Sequence, residues 1–169
     1  MVPKELLQIF QKIRLVIFDV DGVLTDGKLF YGENGECLKV FNARDGLGIR
    51  RLIQHGFQVA IITGRESSFV LKRAKDLGIQ NVYQNRMEKL APFEELRSKL
   101  SLDYAQVAYM GDDWIDLPVM KIIGCAACPN DAMPCVKRVA HFTSCFNGGC
   151  GAAREFCDAI WEAQHSCDI

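Results

Sequence analysis

The sequence predicts an α/β fold built around a central parallel sheet. Apolar runs rich in β-branched residues, such as 15–18 and 57–62, alternate along the chain with segments of helical periodicity. Strands that alternate with helices favour parallel pairing with right-handed crossovers. Three of the apolar runs end in Asp19, Thr63 and Asp112. Because ligands bind beyond the carboxyl ends of the strands in such sheets, we expect these three residues to lie at one edge.

Most elements can be placed from periodicity and turn signals. Two strand-like runs, Lys28 to Tyr31 and Glu36 to Phe41, flank an Asn-Gly pair, which is typical of a β-hairpin. Gly56 and Gly78 mark helix ends. The other predicted helices span 44–53, 66–77, 88–100, 116–123 and 152–164, and the other predicted strands span 57–62, 82–83, 106–110, 124–127 and 139–142.

Composition indicates a soluble globular protein with a single domain over residues 1–169. Hydrophobic residues make up 49% of the chain and charged residues 24%. The net charge of −1 provides no positive field for nucleic acid or an anionic membrane, and no apolar run is long enough to span a bilayer. The segment from Met1 to Lys12 resembles a short helix and lacks the apolar core of a signal peptide. We therefore expect a cytoplasmic protein without nucleic-acid or membrane partners.

Asp19 and Asp21 follow the first strand with one residue between them and a glycine after them. Alternate residues of an extended strand share a face, whereas a turn after Asp19 would bring Asp21 to the same point from the other side. Two close carboxylates repel each other unless a cation lies between them or one holds a proton for acid–base work. The alternative is a pair of solvated aspartates at a strand end.

Four motifs and a glycine-rich tail carry a resemblance to a known family. They are Asp19-Val20-Asp21-Gly22-Val23-Leu24-Thr25-Asp26-Gly27, Thr63-Gly64-Arg65, Lys89, Gly111-Asp112-Asp113-Trp114-Ile115-Asp116 and Gly148-Gly149-Cys150-Gly151-Ala152-Ala153-Arg154-Glu155. In this order the chain resembles the haloacid dehalogenase-like (HAD) superfamily, and within it the 3-deoxy-D-manno-octulosonate 8-phosphate (KDO 8-phosphate) phosphatases. The resemblance runs from about Ile13 to Gln164.

The resemblance implies a fold and a set of residue roles. The fold is a capless, HAD-like Rossmannoid three-layer structure with a projecting hairpin at 28–41 and a C-terminal tail and helix at 146–169. Asp19 is the implied nucleophile, which forms an aspartyl-phosphate, and Asp21 the acid–base. Thr63 and Lys89 complete the implied catalytic set. Mg²⁺ is implied at Asp19, the Asp21 carbonyl and Asp112, supported by Asp113 and Asp116; substrate contacts are implied for Thr63, Gly64, Arg65, Lys89, Gly149 and Gly151.

Each of these residues also has a simpler interpretation. Thr63 suits a helix N-cap, a lone lysine such as Lys89 is usually solvated, and Asp112-Asp113 suits a turn. Their joint order and spacing favour the functional interpretation.

The substrate is inferred less directly. Arg65 directly after Thr63-Gly64 suits the carboxylate of a sugar acid, so the resemblance implies hydrolysis of KDO 8-phosphate in lipopolysaccharide precursor synthesis. The alternatives are a related sugar phosphate, such as a nonulosonate 9-phosphate, and an inactive HAD tetramer module. Two departures from the family pattern, Asn85 where glycine is common and Cys150 within the tail, concern contacts to the sugar.

The segments between motifs are too short to hold a cap domain. The predicted hairpin also carries more apolar residues than a lone two-stranded ribbon protects. We therefore expect a homotetramer in which the hairpin and the tail cover a neighbouring site. On this view, deleting the chain from Asn147 onward would leave the fold intact.

Eight cysteines allow a second metal hypothesis. Cys125-x2-Cys128 and Cys145-x4-Cys150 have spacings that a four-thiolate zinc site uses. Cys125, however, lies in a predicted buried strand, where a thiol behaves as a small hydrophobe. The other cysteines, Cys37, Cys135, Cys157 and Cys167, lack ligand spacing. We therefore expect the cysteines to serve mainly in packing.

Overall fold

The computed structural model describes residues 3–165. Its helices are α1 (Lys4–Phe10), α2 (Ala43–Gln54), α3 (Ser68–Leu77), α4 (Leu90–Lys99), α5 (Leu117–Met120), α6 (Pro134–Lys137) and α7 (Ala152–His165). Its strands are β1 (Leu15–Phe18), β2 (Phe30–Gly32), β3 (Gly35–Leu38), β4 (Gln58–Ile62), β5 (Asn81–Tyr83), β6 (Val107–Met110), β7 (Cys125–Cys128) and β8 (Phe142–Thr143). Met1 and Val2 of the predicted first helix, and Cys167, lie outside the described residues.

The predicted parallel sheet is confirmed. Six strands are ordered β5-β4-β1-β6-β7-β8, and each neighbouring pair is parallel. Numbered along the chain, this order is 3-2-1-4-5-6, the doubly wound arrangement. The direction of winding reverses between β1 and β6. Loops diverge at that point, so a crevice opens at the carboxyl ends of these two strands.

Helices cover both faces of the sheet, which gives three layers. Alternate residues of β1 point to opposite sides, with Val16 and Phe18 in one core and Leu15 and Ile17 in the other. The first core is closed by α1, α2, α3 and α7, and the second by α4, α5 and α6. This is the three-layer α/β architecture that the resemblance implies.

The predicted hairpin is also present, as an antiparallel ribbon of β2 and β3 separate from the main sheet. Its strands are shorter than predicted, and their register shifts between Phe30 and Tyr31. The chain from Asp21 to Thr63 consists of this ribbon, α2 and β4, and the chain from Thr63 to Lys89 holds α3 and β5.

Two helices differ from the sequence prediction near the crevice. The predicted helix from Glu66 begins only at Ser68, because the N–H of Ser67 is held by the Gln84 side chain at 2.8 Å. The helix predicted over 116–123 is a 3₁₀ turn, Trp114–Asp116, followed by the single turn α5. Here the Asp116 side chain is drawn inward to accept hydrogen bonds from backbone N–H groups, which tightens the turn.

The expectation that the chain folds without residues from Asn147 onward is wrong. Five residues of α7 are fully or almost fully buried: Ala152, Ala153, Phe156, Cys157 and Ile160. Phe156 packs edge-on against Phe10 and Phe18. The same 3.6-residue spacing that predicts the helix gives it an apolar stripe, so its removal would expose the core.

Three of the seven described cysteines pack in the core as expected, whereas three are exposed. Cys125 and Cys128 lie in the cores on opposite faces of β7, and Cys157 is buried in α7. Cys145 and Cys150 are exposed. Within residues 3–165, none of the helices combines the length and apolarity that a bilayer-spanning helix needs.

Candidate active site

The three strand-end residues meet in one cleft of about 280 Å³. They follow β1, β4 and β6, as expected. The residues that line the cleft are Asp19, Asp21, Gly22, Gly27, Thr63, Gly64, Arg65, Met87, Asp112, Asp113 and Ile115. Gly22, Gly27 and Ile115 belong to the quoted motifs but were not predicted as site residues, and Met87 was not predicted at all. The sequence does not single out Met87 and Ile115, because an apolar residue that lines a cleft has the same local pattern as any other apolar residue in a loop.

Asp19 and Asp112 form the floor of the cleft. Asp19 is buried, and its Oδ1 accepts a hydrogen bond from the N–H of Val20 at 2.6 Å. Gly22 has a φ of +81°, and a Cβ on it would overlap the carboxylate of Asp112. Only glycine therefore allows the loop after β1 to approach Asp112 so closely.

Lys89 lies inside the cluster and is fully buried. Its Nζ is 2.7 Å from Asp19 Oδ2 and 2.6 Å from Asp116 Oδ1. Burial opposes its charge, but the two carboxylates outweigh that effect and raise the pKa of Lys89. The solvated-lysine interpretation is therefore excluded for Lys89.

Asp116 holds its neighbours in place by accepting four hydrogen bonds. Its Oδ1 accepts from Lys89 and, at 2.7 Å, from the hydroxyl of Tyr109. Its Oδ2 accepts from the backbone N–H groups of Asp112 and Asp113. These four hydrogen bonds occupy the carboxylate, so it supports the loop after β6 and has little capacity left for a cation.

The donor set suits a divalent cation. Oxygens of Asp19, Asp112 and Asp116 lie within 4.8 Å of one another. Burial and the carboxylate of Asp116 raise the pKa of Asp19 to about 6, against the opposing effects of Lys89 and Val20. Burial, Asp19 and Asp116 raise the pKa of Asp112 to about 8. With Asp116 occupied, Asp19 and Asp112 are the carboxylates that fit Mg²⁺, which prefers such oxygens.

These shifts predict a pH-dependent response to Mg²⁺. Both pKa values lie above the ordinary 3.8. Ionising Asp19 and Asp112 therefore costs free energy in the folded, metal-free chain, which lowers its free energy of unfolding. This cost is absent below about pH 3.8 and grows as the pH rises towards 8. A bound cation offsets the cost but competes with a proton for Asp112. We expect Mg²⁺ to raise the melting temperature more at pH 8 than at pH 6.

Thermal denaturation with and without Mg²⁺ at both pH values measures this response. Asp112→Asn removes the titrating group and should abolish most of the difference between the two pH values. Equal stabilisation of the wild type at pH 6 and pH 8 would contradict the prediction.

Thr63 is buried at the end of β4. Its N–H donates to the carbonyl of Tyr83 at 2.9 Å, and its carbonyl accepts from the N–H of Arg86. The N–H of Thr63 is therefore not free for a ligand, and the helix N-cap interpretation of Thr63 is wrong, because α3 begins five residues later. The hydroxyl is the group that Thr63 can offer to the cleft.

Arg65 and Asp21 belong to a network that the sequence did not reveal. Arg65 Nε is 3.6 Å from Asp21 Oδ2, and Arg65 Nη2 donates to the hydroxyl of Tyr31 at 3.1 Å. Lys39 Nζ pairs with Asp21 Oδ1. A lysine after a hairpin usually lies on the protein surface, so the sequence did not indicate that Lys39 is buried.

The tail lies beside the cleft rather than in it. The N–H of Gly149 donates to the carbonyl of Val23 at 2.9 Å, and a Cβ on Gly149 would collide with the backbone of Thr25 and Asp26. Gly151 lines a separate groove of about 610 Å³ beside α7. Within one chain, Gly148 and Gly149 therefore serve close packing against the loop after β1, and neither Gly149 nor Gly151 lines the cleft.

The two departures from the family pattern have different consequences. Asn85 has a φ of +57°, in the left-handed region that glycine favours. Asparagine enters this region more readily than most residues, so it preserves the backbone conformation of a glycine position. Cys150 is exposed at the rim of the larger groove.

Comparisons with known proteins agree with this geometry. No family model matches the sequence. The 3-deoxy-D-manno-octulosonate 8-phosphate phosphatase KdsC of Yersinia pestis is 47% identical over 163 residues, which cover 96% of this chain and 87% of the relative. A Legionella pneumophila structure assigned to the HAD superfamily, subfamily III A, has a TM-score of 0.93 at 40% identity and covers 96% of this chain and 89% of its own.

A third comparison includes ligands. The Moraxella catarrhalis 3-deoxy-D-manno-octulosonate 8-phosphate phosphatase, solved with a magnesium ion, a phosphate ion and a KDO molecule, has a TM-score of 0.93. It is 38% identical, and the match covers 97% of this chain and 94% of that one. With such identity over nearly the whole length, this chain belongs to the 3-deoxy-D-manno-octulosonate 8-phosphate phosphatase family of the HAD superfamily.

Proposed function

We propose that this protein is a Mg²⁺-dependent phosphatase that hydrolyses KDO 8-phosphate to KDO and phosphate. The observation that carries the proposal is the placement of Lys89 between Asp19 and Asp116 beside Asp112. A buried ammonium next to a buried carboxylate provides a nucleophile and a fixed positive charge for phosphoryl oxygens in one cleft.

The residues divide the chemistry between them. An oxygen of Asp19 attacks phosphorus to give an aspartyl-phosphate, while Asp21 gives a proton to the leaving sugar alkoxide. Asp21 then takes a proton from the water that hydrolyses the aspartyl-phosphate. Lys89 and the hydroxyl of Thr63 hold the phosphoryl oxygens, and the backbone at Gly64 lies beside them.

Mg²⁺ would be held by Asp19, the carbonyl of Asp21 and Asp112, with Asp113 beside them. It would offset the charge that develops on the phosphoryl group and bind one of its oxygens.

Arg65 supports a sugar acid as the substrate. Its side chain is about one-third exposed at the mouth of the cleft, where a guanidinium can pair with a carboxylate. A family member binds KDO in a crystal. The alternative substrate is a nonulosonate 9-phosphate, which also carries a carboxylate and a primary phosphate ester.

Phosphate release from a panel of sugar phosphates tests the proposal, with kcat/KM compared between KDO 8-phosphate and a nonulosonate 9-phosphate. We expect the first to be preferred and activity to require Mg²⁺. Ca²⁺ should inhibit, because it takes six to eight oxygens and would engage both oxygens of Asp19. Full activity after exhaustive chelation would refute the Mg²⁺ requirement. A preference for the nine-carbon substrate would refute KDO 8-phosphate as the substrate.

We also propose that the enzyme works as a cytoplasmic homotetramer in lipopolysaccharide precursor synthesis. Five apolar residues on or beside the hairpin are exposed, with exposed fractions between 39% and 63%: Leu29, Phe30, Tyr31, Leu38 and Val40. Exposed apolar surface of this kind favours burial between symmetric copies, and the cleft has no cap domain of its own. A neighbour's hairpin or its tail, including Gly149 and Gly151, would then cover the substrate.

Leu38→Asp is expected to break this assembly. It places a charge in the apolar surface that the copies would bury, which costs several kcal/mol per interface. Leu71→Asp, which changes another exposed leucine on α3, is the matched control. Light scattering should show a tetramer for the wild type and the control, and smaller species for Leu38→Asp. A wild-type monomer would contradict the proposal.

A further inference from the structure

Lys39 is a buried lysine that the proposed chemistry leaves unused. It lies between the end of β3 and α2, and its side chain is only 2% exposed. Lysine is almost never buried without a partner, because removing an ammonium from water is costly. Its burial beside a cleft therefore calls for a specific explanation.

The partners of Lys39 form a closed ring of alternating charge. Lys39 Nζ contacts Asp21 Oδ1 and lies 3.1 Å from Glu36 Oε1. Arg65 closes the ring, with its Nε 3.6 Å from Asp21 Oδ2 and its Nη2 3.5 Å from Glu36 Oε1. Arg65 Nε is buried and makes no hydrogen bond. Lys39 therefore makes the direct hydrogen bond to Asp21, and Arg65 stands slightly further away.

This ring joins the hairpin to the catalytic loop. Glu36 and Lys39 belong to the hairpin segment, whereas Asp21 follows β1 and Arg65 follows β4. The Lys39 ammonium engages one carboxylate oxygen of Asp21 from the hairpin side. A fixed charge on one oxygen restricts rotation of the carboxylate and determines where its second oxygen points.

We propose that Lys39 is a positioning residue that aims Asp21 at the leaving-group oxygen of the substrate. This inference rests on the acid–base role proposed for Asp21. A general acid contributes only when it lies within hydrogen-bond reach of the atom it protonates. Without Lys39, Asp21 would lose its fixed orientation while Asp19, Lys89 and the cation site remain in place.

Leaving groups of different acidity test this role. KDO 8-phosphate releases a sugar alkoxide, which needs a proton, whereas para-nitrophenyl phosphate releases a stable phenolate, which hardly needs one. In Lys39→Met we expect kcat/KM for the sugar phosphate to fall about 100-fold, within the usual range for general acids, and kcat/KM for the aryl phosphate to fall less than about tenfold. The ratio kcat/KM is compared because it reports the steps up to the aspartyl-phosphate, whereas hydrolysis of that intermediate uses Asp21 for both esters. KM for the sugar phosphate should change little. Lys99→Met, at an exposed lysine in the last turn of α4, should leave both rates unchanged.

A loss of kcat/KM of equal size on both esters would overturn the proposal, because it would indicate a general structural role. Unchanged rates on both esters would overturn it as well. If Lys39→Met does not fold, Glu36→Gln is tested instead. This variant removes the second carboxylate partner of Lys39, and it should lower the rate on the sugar phosphate more than the rate on the aryl phosphate, by a smaller factor than Lys39→Met. Equal losses in Glu36→Gln overturn the proposal.

Measurements in an Asp21→Asn background separate the positioning role proposed for Lys39 from the acid–base role proposed for Asp21. There, Lys39→Met should add no further leaving-group selectivity, since residues that act as a unit are non-additive. Added selectivity would show that Lys39 does not act through Asp21. If instead the wild type fails to hydrolyse any sugar phosphate, the proposed substrate is wrong, and the aryl-ester series with leaving groups of graded acidity still tests Lys39.

Discussion

Asp19→Asn is expected to abolish turnover while leaving the protein folded. The amide removes the proposed nucleophile and one carboxylate of the cation site together. Loss of a nucleophile lowers kcat by at least about 10⁴-fold in enzymes whose residues act as a unit. Stability should change little, because the variant removes a buried carboxylate with a raised pKa and Lys89 keeps Asp116 as its partner.

Phosphate release by the purified variant, checked by mass spectrometry for deamidation, measures the effect. Asp76→Asn makes the same chemical change at an exposed position on α3 and should retain full activity. Near wild-type hydrolysis by Asp19→Asn would show that another group attacks phosphorus.

The fold was predictable because its pattern is strongly periodic. Buried strands such as β4 and β6 appear as continuous apolar runs, and the parallel order follows from their alternation with helices. Helix ends near the cleft were predicted less well. α3 starts late, after Ser67, whose N–H donates to Gln84, and the α-helix predicted over 116–123 is reduced to the single turn α5 because Asp116 points inward. One cause is a side-chain contact between residues distant in sequence, and the other is a side chain turned into the core; a local sequence pattern shows neither.

The candidate site was predictable where residues end strands or belong to motifs. Asp19, Thr63 and Asp112 converge because parallel strands end at the same edge. The contacts around Asp21 were not predictable. Lys39 and Glu36 reach it from the hairpin, and the burial of Lys39 depends on how that hairpin folds back onto the cleft. Likewise, the packing of Gly149 against the loop after β1 depends on tertiary proximity that glycine spacing alone does not specify.

Lys89→Met is expected to lower both activity and stability. Methionine approximately keeps the volume of the side chain but leaves the buried carboxylates of Asp19 and Asp116 without their shared cation. Breaking a buried ion pair from one side costs about 3–5 kcal/mol. The loss of a fixed positive charge at the phosphoryl group should lower kcat by about 10²–10³-fold. Urea denaturation without metal and steady-state kinetics with Mg²⁺ measure the two effects, and Lys99→Met provides the control.

The stability loss in Lys89→Met should depend on pH in a defined direction. Lys89 opposes the rise in the pKa of Asp19, so without the ammonium that pKa lies still further above its ordinary value, and the folded variant takes up a proton more readily than the unfolded chain. The deficit relative to the wild type should therefore be full above the raised pKa of Asp19 and shrink as the pH falls towards 4. Mg²⁺ should also reduce it, because a cation at Asp19 replaces part of the missing charge. A deficit of constant size from pH 8 to pH 5 would indicate that lost packing, and not the two unpaired carboxylates, destabilises the variant.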